Sequence, residues 1–253
     1  MTKKINKRYY NTKEGLQYFS SQGLSNSLLL LLACTLWSYI MKLLGVQSGS
    51  IITTLLLYVS PIGSLFVYVI CSKAFKKEQQ ALTLTKDSKP DKLVYLLSKL
   101  AILELFITLA SLIVYVIIST RLNAVISASA SDEIAYYNAT KMAVRIKVVT
   151  NAIDKIFSVS TLIFIFIIKL YIDEQDNIRL HNFAFASVVI TLVVFLLLMI
   201  NYILQYIGKS NTVFSTLTNL LPFVMYISQY LTIEARREKC RQITEETGNN
   251  AEV

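Results

Sequence analysis

Polar positions in this chain gather into short clusters that separate long uncharged stretches. No Asp, Glu, Lys or Arg occurs from Gly15 to Met41, Leu43 to Ser72, Leu105 to Thr120, Ile156 to Ile168, Leu180 to Gly208 or Ser210 to Ile233. A helix needs roughly 20 apolar residues to cross a hydrocarbon core of about 30 Å. Four of the runs exceed that length, and the other two reach it by taking in one neighbouring charge. The pattern predicts six transmembrane helices near 24–44, 51–72, 96–119, 152–172, 183–207 and 212–233. The expected fold is an all-α polytopic membrane protein. Its spanning domain covers 24–233, preceded by a segment over 1–23 and followed by a polar tail over 234–253.

Composition agrees with that solvent. Charged residues make up 16% of the 253 positions and mean hydropathy is +0.52, whereas a soluble domain carries about 25% charge. The basic start MTKKINKR is separated from the first apolar run by residues of mixed polarity, with no small-residue cleavage pattern, so an uncleaved anchor is expected.

The charges orient the bundle. Of 25 Lys and Arg, 18 fall in the N-terminal segment, the loop between spans two and three, the loop between spans four and five, and the tail. By the positive-inside rule both termini lie in the cytoplasm. The net charge of +9 is then largely topological, and the basic residues form no single face that nucleic acid would require.

Outside the spans, INKRYYNTKEGLQYF spaces Ile5, Tyr9, Thr12, Leu16 and Phe19 at helical intervals, as an interfacial helix on an anionic leaflet would. The inner loop FKKEQQALTLTKDSKPDK reads as a charged, solvated connection. The outer segment 121–151 is the largest region beyond the bilayer. There Asp132 and Glu133 suit a helix start and Lys141, Arg145 and Lys147 its later turns, which predicts a helix running from about Asp132 into span four. Spans one and two, and five and six, form hairpins. Each second helix carries a proline (Pro61, Pro222) and ends in a basic pair before Glu.

Candidate chemistry is sparse. Cys34, Cys71 and Cys240 have no partner at metal or redox spacing, and no catalytic motif, metal ligand set or cofactor signature is present. Sole His181 falls in a short loop, where a solvated or interfacial position is expected. Span six places Ser215, Asn219, Pro222, Tyr226 and Gln229 on one helix face, and Asn201 and Gln205 of span five can meet it near Asn219 or Ser215. Polar groups facing lipid are costly, so this face points into the bundle, as inter-helix glue or as a binding groove. Pro61 belongs to a milder stripe on span two. Glu104, the sole acid well inside a span, sits either at the inner headgroups or buried against the bundle. Glycine scarcity argues against broken helices.

These features lead to the expectation of a non-enzymatic protein of the cell membrane that works by association. Its partner is the bilayer itself plus another membrane protein or a second copy, in the manner of an accessory subunit or an immunity-type protein. The low-Gly, low-Pro, Ile-, Lys-, Asn- and Tyr-rich usage suggests a bacterial cytoplasmic membrane. The alternatives are a permease subunit and an oligomeric channel. In layout the chain resembles the small permeases of ATP-driven exporters, which pair an interfacial N-terminal helix with six spans. It departs from them at Gly208 to Asn211, which leaves no room for re-entrant helices before the last span.

Overall fold

The computed structural model describes residues 21–45, 51–85, 91–129, 131–209 and 211–249. The proposed interfacial helix over 5–19 lies outside them, as do residues 86–90 of the polar inner loop, whose earlier part is helical to Thr85. Seven helices account for nearly all the described residues: α1 (Ser21–Leu43), α2 (Ile51–Thr85), α3 (Lys92–Ala128), α4 (Glu133–Ile156), α5 (Val159–Asp173), α6 (Ile178–Tyr206) and α7 (Thr212–Asn249). Among the described residues there is no strand.

Local chemistry places the ends. Asp91 caps α3 by accepting from the backbone of Leu93 and Val94, and Asp132 caps α4 by accepting from Ile134 and Ala135. The Asn177 and Asn211 side chains do the same for α6 and α7. Each carboxylate or amide satisfies N–H groups that the first helical turn leaves without a partner. Gly45 (φ +63°) and Gly208 (φ +73°) follow α1 and α6 in the left-handed conformation, which carries little penalty in a residue without Cβ.

The helices pack as a closed ring in the order α1, α2, α3, α4, α6, α7 and back to α1. The short helix α5 fills the ring's lower half, against α2, α3, α6 and α7. Here the lower end is the one holding the α2–α3 and α5–α6 connections and the C-terminal half of α7. The α3–α4 and α6–α7 turns mark the upper end. The core runs along α5 (Leu162, Ile163, Phe166, Ile167) and its neighbours Leu28, Phe75, Leu97 and Ile233. Phe75 meets Phe166 edge to face at 5.6 Å.

The exterior is apolar. On α3 alone, Leu103, Phe106, Ile113, Val114 and Ile117 are exposed, while Glu104 and Ser98 are buried. That inverts the arrangement expected in water and suits a hydrocarbon solvent. Five helical segments are long and apolar enough to cross a bilayer: Gln22–Met41, Val59–Gln80, Lys92–Ala128, Glu133–Asp173 and Ile178–Tyr206. The first half of α7, where the sixth span is expected, is not among them. Its Thr, Ser and Asn residues dilute the hydropathy of an otherwise long helix.

Two expectations are revised. The predicted continuous helix through span four is interrupted at Phe157–Ser158, leaving α4 and α5 as separate rods. Hydroxyls replace the lost helical bonds: Ser158 donates to the Lys155 carbonyl at 3.1 Å and Thr161 to that of Ile156 at 3.0 Å. Tyr68 of α2 reaches the Phe157 carbonyl at 2.9 Å. A broken helix therefore needs neither glycine nor proline when serine, threonine and tyrosine take up the freed carbonyls. The second revision concerns the segment expected as a polar tail, which is helical to Asn249. Its first turns stay helical because they carry a buried face (Ala235, Arg236, Cys240) packed on the bundle's lower end.

That lower end is held by charge. Arg236 lies 3.5 Å from Glu78 of α2 and 3.1 Å from Glu174 in the α5–α6 connection, and Lys239 also bonds Glu174. Lys169 of α5 joins Asp91, the α3 cap, at 2.7 Å and bonds Asp173 as well. Glu234 accepts from Ser25 of α1, and Arg179 meets Glu238 at 3.1 Å. His181 stacks on Tyr171 at 4.5 Å and sits 3.1 Å from its carbonyl, pinning the start of α6 to the end of α5.

Cys240 is enclosed in this region, and burial pushes its thiol up to about 11. Thiolate is the reactive form, so at pH 8 Cys240 should react with maleimide roughly a hundredfold more slowly than an ordinary cysteine. The rate should keep rising about tenfold per pH unit up to about pH 11, whereas that of an ordinary cysteine levels off above about pH 8.5. Rapid modification of Cys240 at neutral pH in the folded, detergent-solubilised protein would contradict this burial.

Candidate functional site: a polar cleft above a broken helix

The break between α4 and α5 lies near mid-height of the bundle. The Tyr68 hydroxyl that reaches Phe157 also accepts from Thr108, midway along α3, at 3.2 Å. Just below the break, Gln229 of α7 donates to the Ser160 carbonyl at 3.3 Å and to Thr191, midway along α6, at 3.4 Å. Two independent ties thus set the same level. Beneath it, α5 seals the centre of the ring with fully buried side chains.

Above it the ring is open. With no rod on the axis, α4 stands to one side, and a cleft of about 390 Å³ remains between α1, α4, α6 and α7. Thr35, Ser38 and Tyr39 line it from α1, and Lys147, Asn151, Asp154 and Lys155 from α4. Tyr202 and Gln205 come from α6, and Ser215, Asn219 and Pro222 from α7. Lys147, Asn151 and Lys155 share one face of α4 because they are four residues apart. Lys155 lies deepest, half-buried one turn above the break, with Tyr226, Tyr202 and Tyr68 around it.

The sequence-predicted residues divide into three groups. Ser215, Asn219 and Pro222 are brought together on the cleft wall, where Gln205 donates to Ser215 at 3.1 Å. Tyr226 and Gln229 are buried on the same helix at and below the floor, and Asn201 is buried on α6 with its side-chain carbonyl lacking a hydrogen bond among the described residues. Pro61 and Glu104 lie elsewhere. Pro61 is half-buried on α2, between one and two turns below the Trp37 indole's bond to the Leu56 carbonyl at 2.8 Å. Glu104 faces the interior of the bundle. It is 7% exposed, one carboxylate oxygen has no hydrogen-bond partner among the described residues, and its neighbours across the interface are Cys71 and Tyr68. Tyr68 lies near both Glu104 and Lys155, and Glu104 is not on the cleft wall.

Reasoning from sequence missed the α1 and α4 contributions. The signal available was the spacing Lys147, Asn151, Lys155, which repeats every four residues into the start of the fourth apolar run. Thr35, Ser38 and Tyr39 had no such signal, since three weakly polar residues near a span's end are ordinary.

The described residues form an all-helical bundle with five helical segments long and apolar enough to cross a membrane, interrupted at mid-height beneath a polar cleft. No family model, curated protein or solved structure matches the chain.

Proposed function

We propose that this is a six-span, non-enzymatic protein of the cell membrane that works by binding a small polar solute in the cleft, in the manner of a permease subunit. In this reading α7 supplies the sixth crossing, both termini lie in the cytoplasm, and the upper end faces outward. The carrying observation is the interruption at Phe157–Ser158 directly beneath the cleft. Irregular backbone at membrane depth is tolerated where it lines a cavity, and transporters use such interruptions at their substrate sites. The cleft's volume falls within the roughly 300–1,000 Å³ typical of small-molecule sites. Its walls carry amides, hydroxyls and lysines, groups that hold and orient a solute.

The association reading, an accessory or immunity-type protein, draws on a separate observation. Helix α4 buries only Ala139 and Val148 among its described side chains, and exposes Ile134, Tyr137 and Met142 beside Arg145 and Lys147. Co-purification of a membrane partner that is lost on Tyr137→Glu would favour it.

Accessibility tests the solute reading. An Asn151→Cys variant in intact cells should react with a membrane-impermeant maleimide, whereas Lys76→Cys, exposed at the lower end, should react only after permeabilisation. The reverse pattern would invert the topology, and protection of both would close the cleft.

A further inference from the structure

We infer that the cleft selects anions, so that its solute is a small carboxylate or phosphate held by Lys155; this rests on the solute-binding reading above.

Three observations give the sign. First, the charged groups that face the cleft are Lys147, Asp154 and Lys155, and all three come from α4. The facing walls of α1, α6 and α7 are neutral: hydroxyls, amides, Tyr39, Tyr202 and apolar groups. Second, the charges differ in depth. Asp154 is exposed, where water screens it, while Lys155 is half-buried at the floor, where a charge is felt more strongly. No described carboxylate lies within ion-pair distance of Lys155, in contrast to Lys169 and Lys239 at the lower end.

Third, the break itself is polarised. A helix C-terminus is negative and a helix N-terminus positive, so an α4–α5 junction would ordinarily cancel. Here the carbonyls of Lys155, Ile156 and Phe157 each accept a hydroxyl hydrogen, from Ser158, Thr161 and Tyr68 respectively. The N-terminus of α5 receives no matching compensation, because Ser158 makes no side-chain capping bond. The positive end therefore dominates beneath the ammonium of Lys155. An anion entering between Asn151 and Asn219 would meet amide donors first and the lysine last.

Charged thiol reagents measure this directly. The full-length Asn151→Cys protein would be treated in intact cells with two methanethiosulfonates, one bearing a sulfonate and one a trimethylammonium group. Each rate would be normalised to the same reagent's rate with a free thiol. The sulfonate reagent should react at least tenfold faster than the cation, and adding Lys155→Met should reduce that ratio threefold or more. Lys155→Arg, which keeps the charge, should preserve it. Millimolar succinate or inorganic phosphate should slow labelling and succinamide should not; whichever of the two competes better assigns carboxylate or phosphate. A ratio at or below one in the Asn151→Cys background would overturn the inference while leaving a cleft open to the outside, as would equal protection by succinamide. Failure of both reagents to react would instead remove the solute-binding reading and the inference with it.

Discussion

Arg236→Met should destabilise the folded protein by about 3–5 kcal/mol, the penalty typical of removing one partner from a buried charge pair. Glu78 is 0% exposed and Arg236 6%, and the guanidinium also reaches Glu174. Methionine approximates the volume of arginine, so little of the loss would come from a cavity. The cost arises because the Glu78 carboxylate stays buried and loses the Arg236 guanidinium. A second substitution, Glu78→Gln, should recover part of it by removing a buried charge that Arg236 no longer offsets. Both can be read by reversible unfolding in mixed micelles. A loss of less than 1 kcal/mol in Arg236→Met would mean that the lower end is hydrated and that the network is held by water. The contrast with Arg179→Met is informative, since the Arg179–Glu238 pair is exposed at 65% and 39% and such pairs contribute about 0–1 kcal/mol.

This network also shows where sequence reasoning reaches its limit. The similar endings Lys76-Lys77-Glu78 and Arg236-Arg237-Glu238 are visible as a pattern, and the positive-inside rule accounts for them separately. In the structure they meet, with Glu78 of one against Arg236 of the other. Nothing local to either segment encodes that pairing, because it depends on α1 and α7 closing the ring. The same holds at the site. Ser215 and Asn219 are legible as a stripe because helical periodicity is a local property, and so is the Gln205–Ser215 contact across a four-residue turn. The cleft is not legible, since it exists only because α5 is too short to fill the upper half of the ring. The length of α5 is set by Ser158 and Thr161, residues that read as ordinary members of an apolar run. Glu104 illustrates the converse. Its place in the sequence did not say which way the carboxyl points, and tertiary packing against α2 turns it into the bundle.

The second large effect concerns the crossing of α1 and α2. A Cβ on Gly63 would stand 2.5 Å from the Cys34 sulfur, well inside any normal contact. Cys34 is 7% exposed and has only two rotamers acceptable in a helix, so the sulfur has little freedom to retreat. Gly63→Ala therefore sets two terms against each other. Helix propensity favours alanine by about 1 kcal/mol, while forcing an extra methyl into a packed interface costs about 1–3 kcal/mol. At 2.5 Å the clash should win, with net destabilisation of about 1–2 kcal/mol, rising to 3 or more for Gly63→Leu. The clash has one named partner, so it should be removable. In a Cys34→Ala background the sulfur is absent, propensity is unopposed, and Gly63→Ala should become neutral or stabilising. The double-mutant cycle should then give a coupling of at least about 1 kcal/mol, of the size found for residues in direct contact. Additive effects would show that the two helices do not cross at this register. The ring would then lose the closure between α2 and α7, through α1, on which both the Glu78–Arg236 pair and the upper cleft depend.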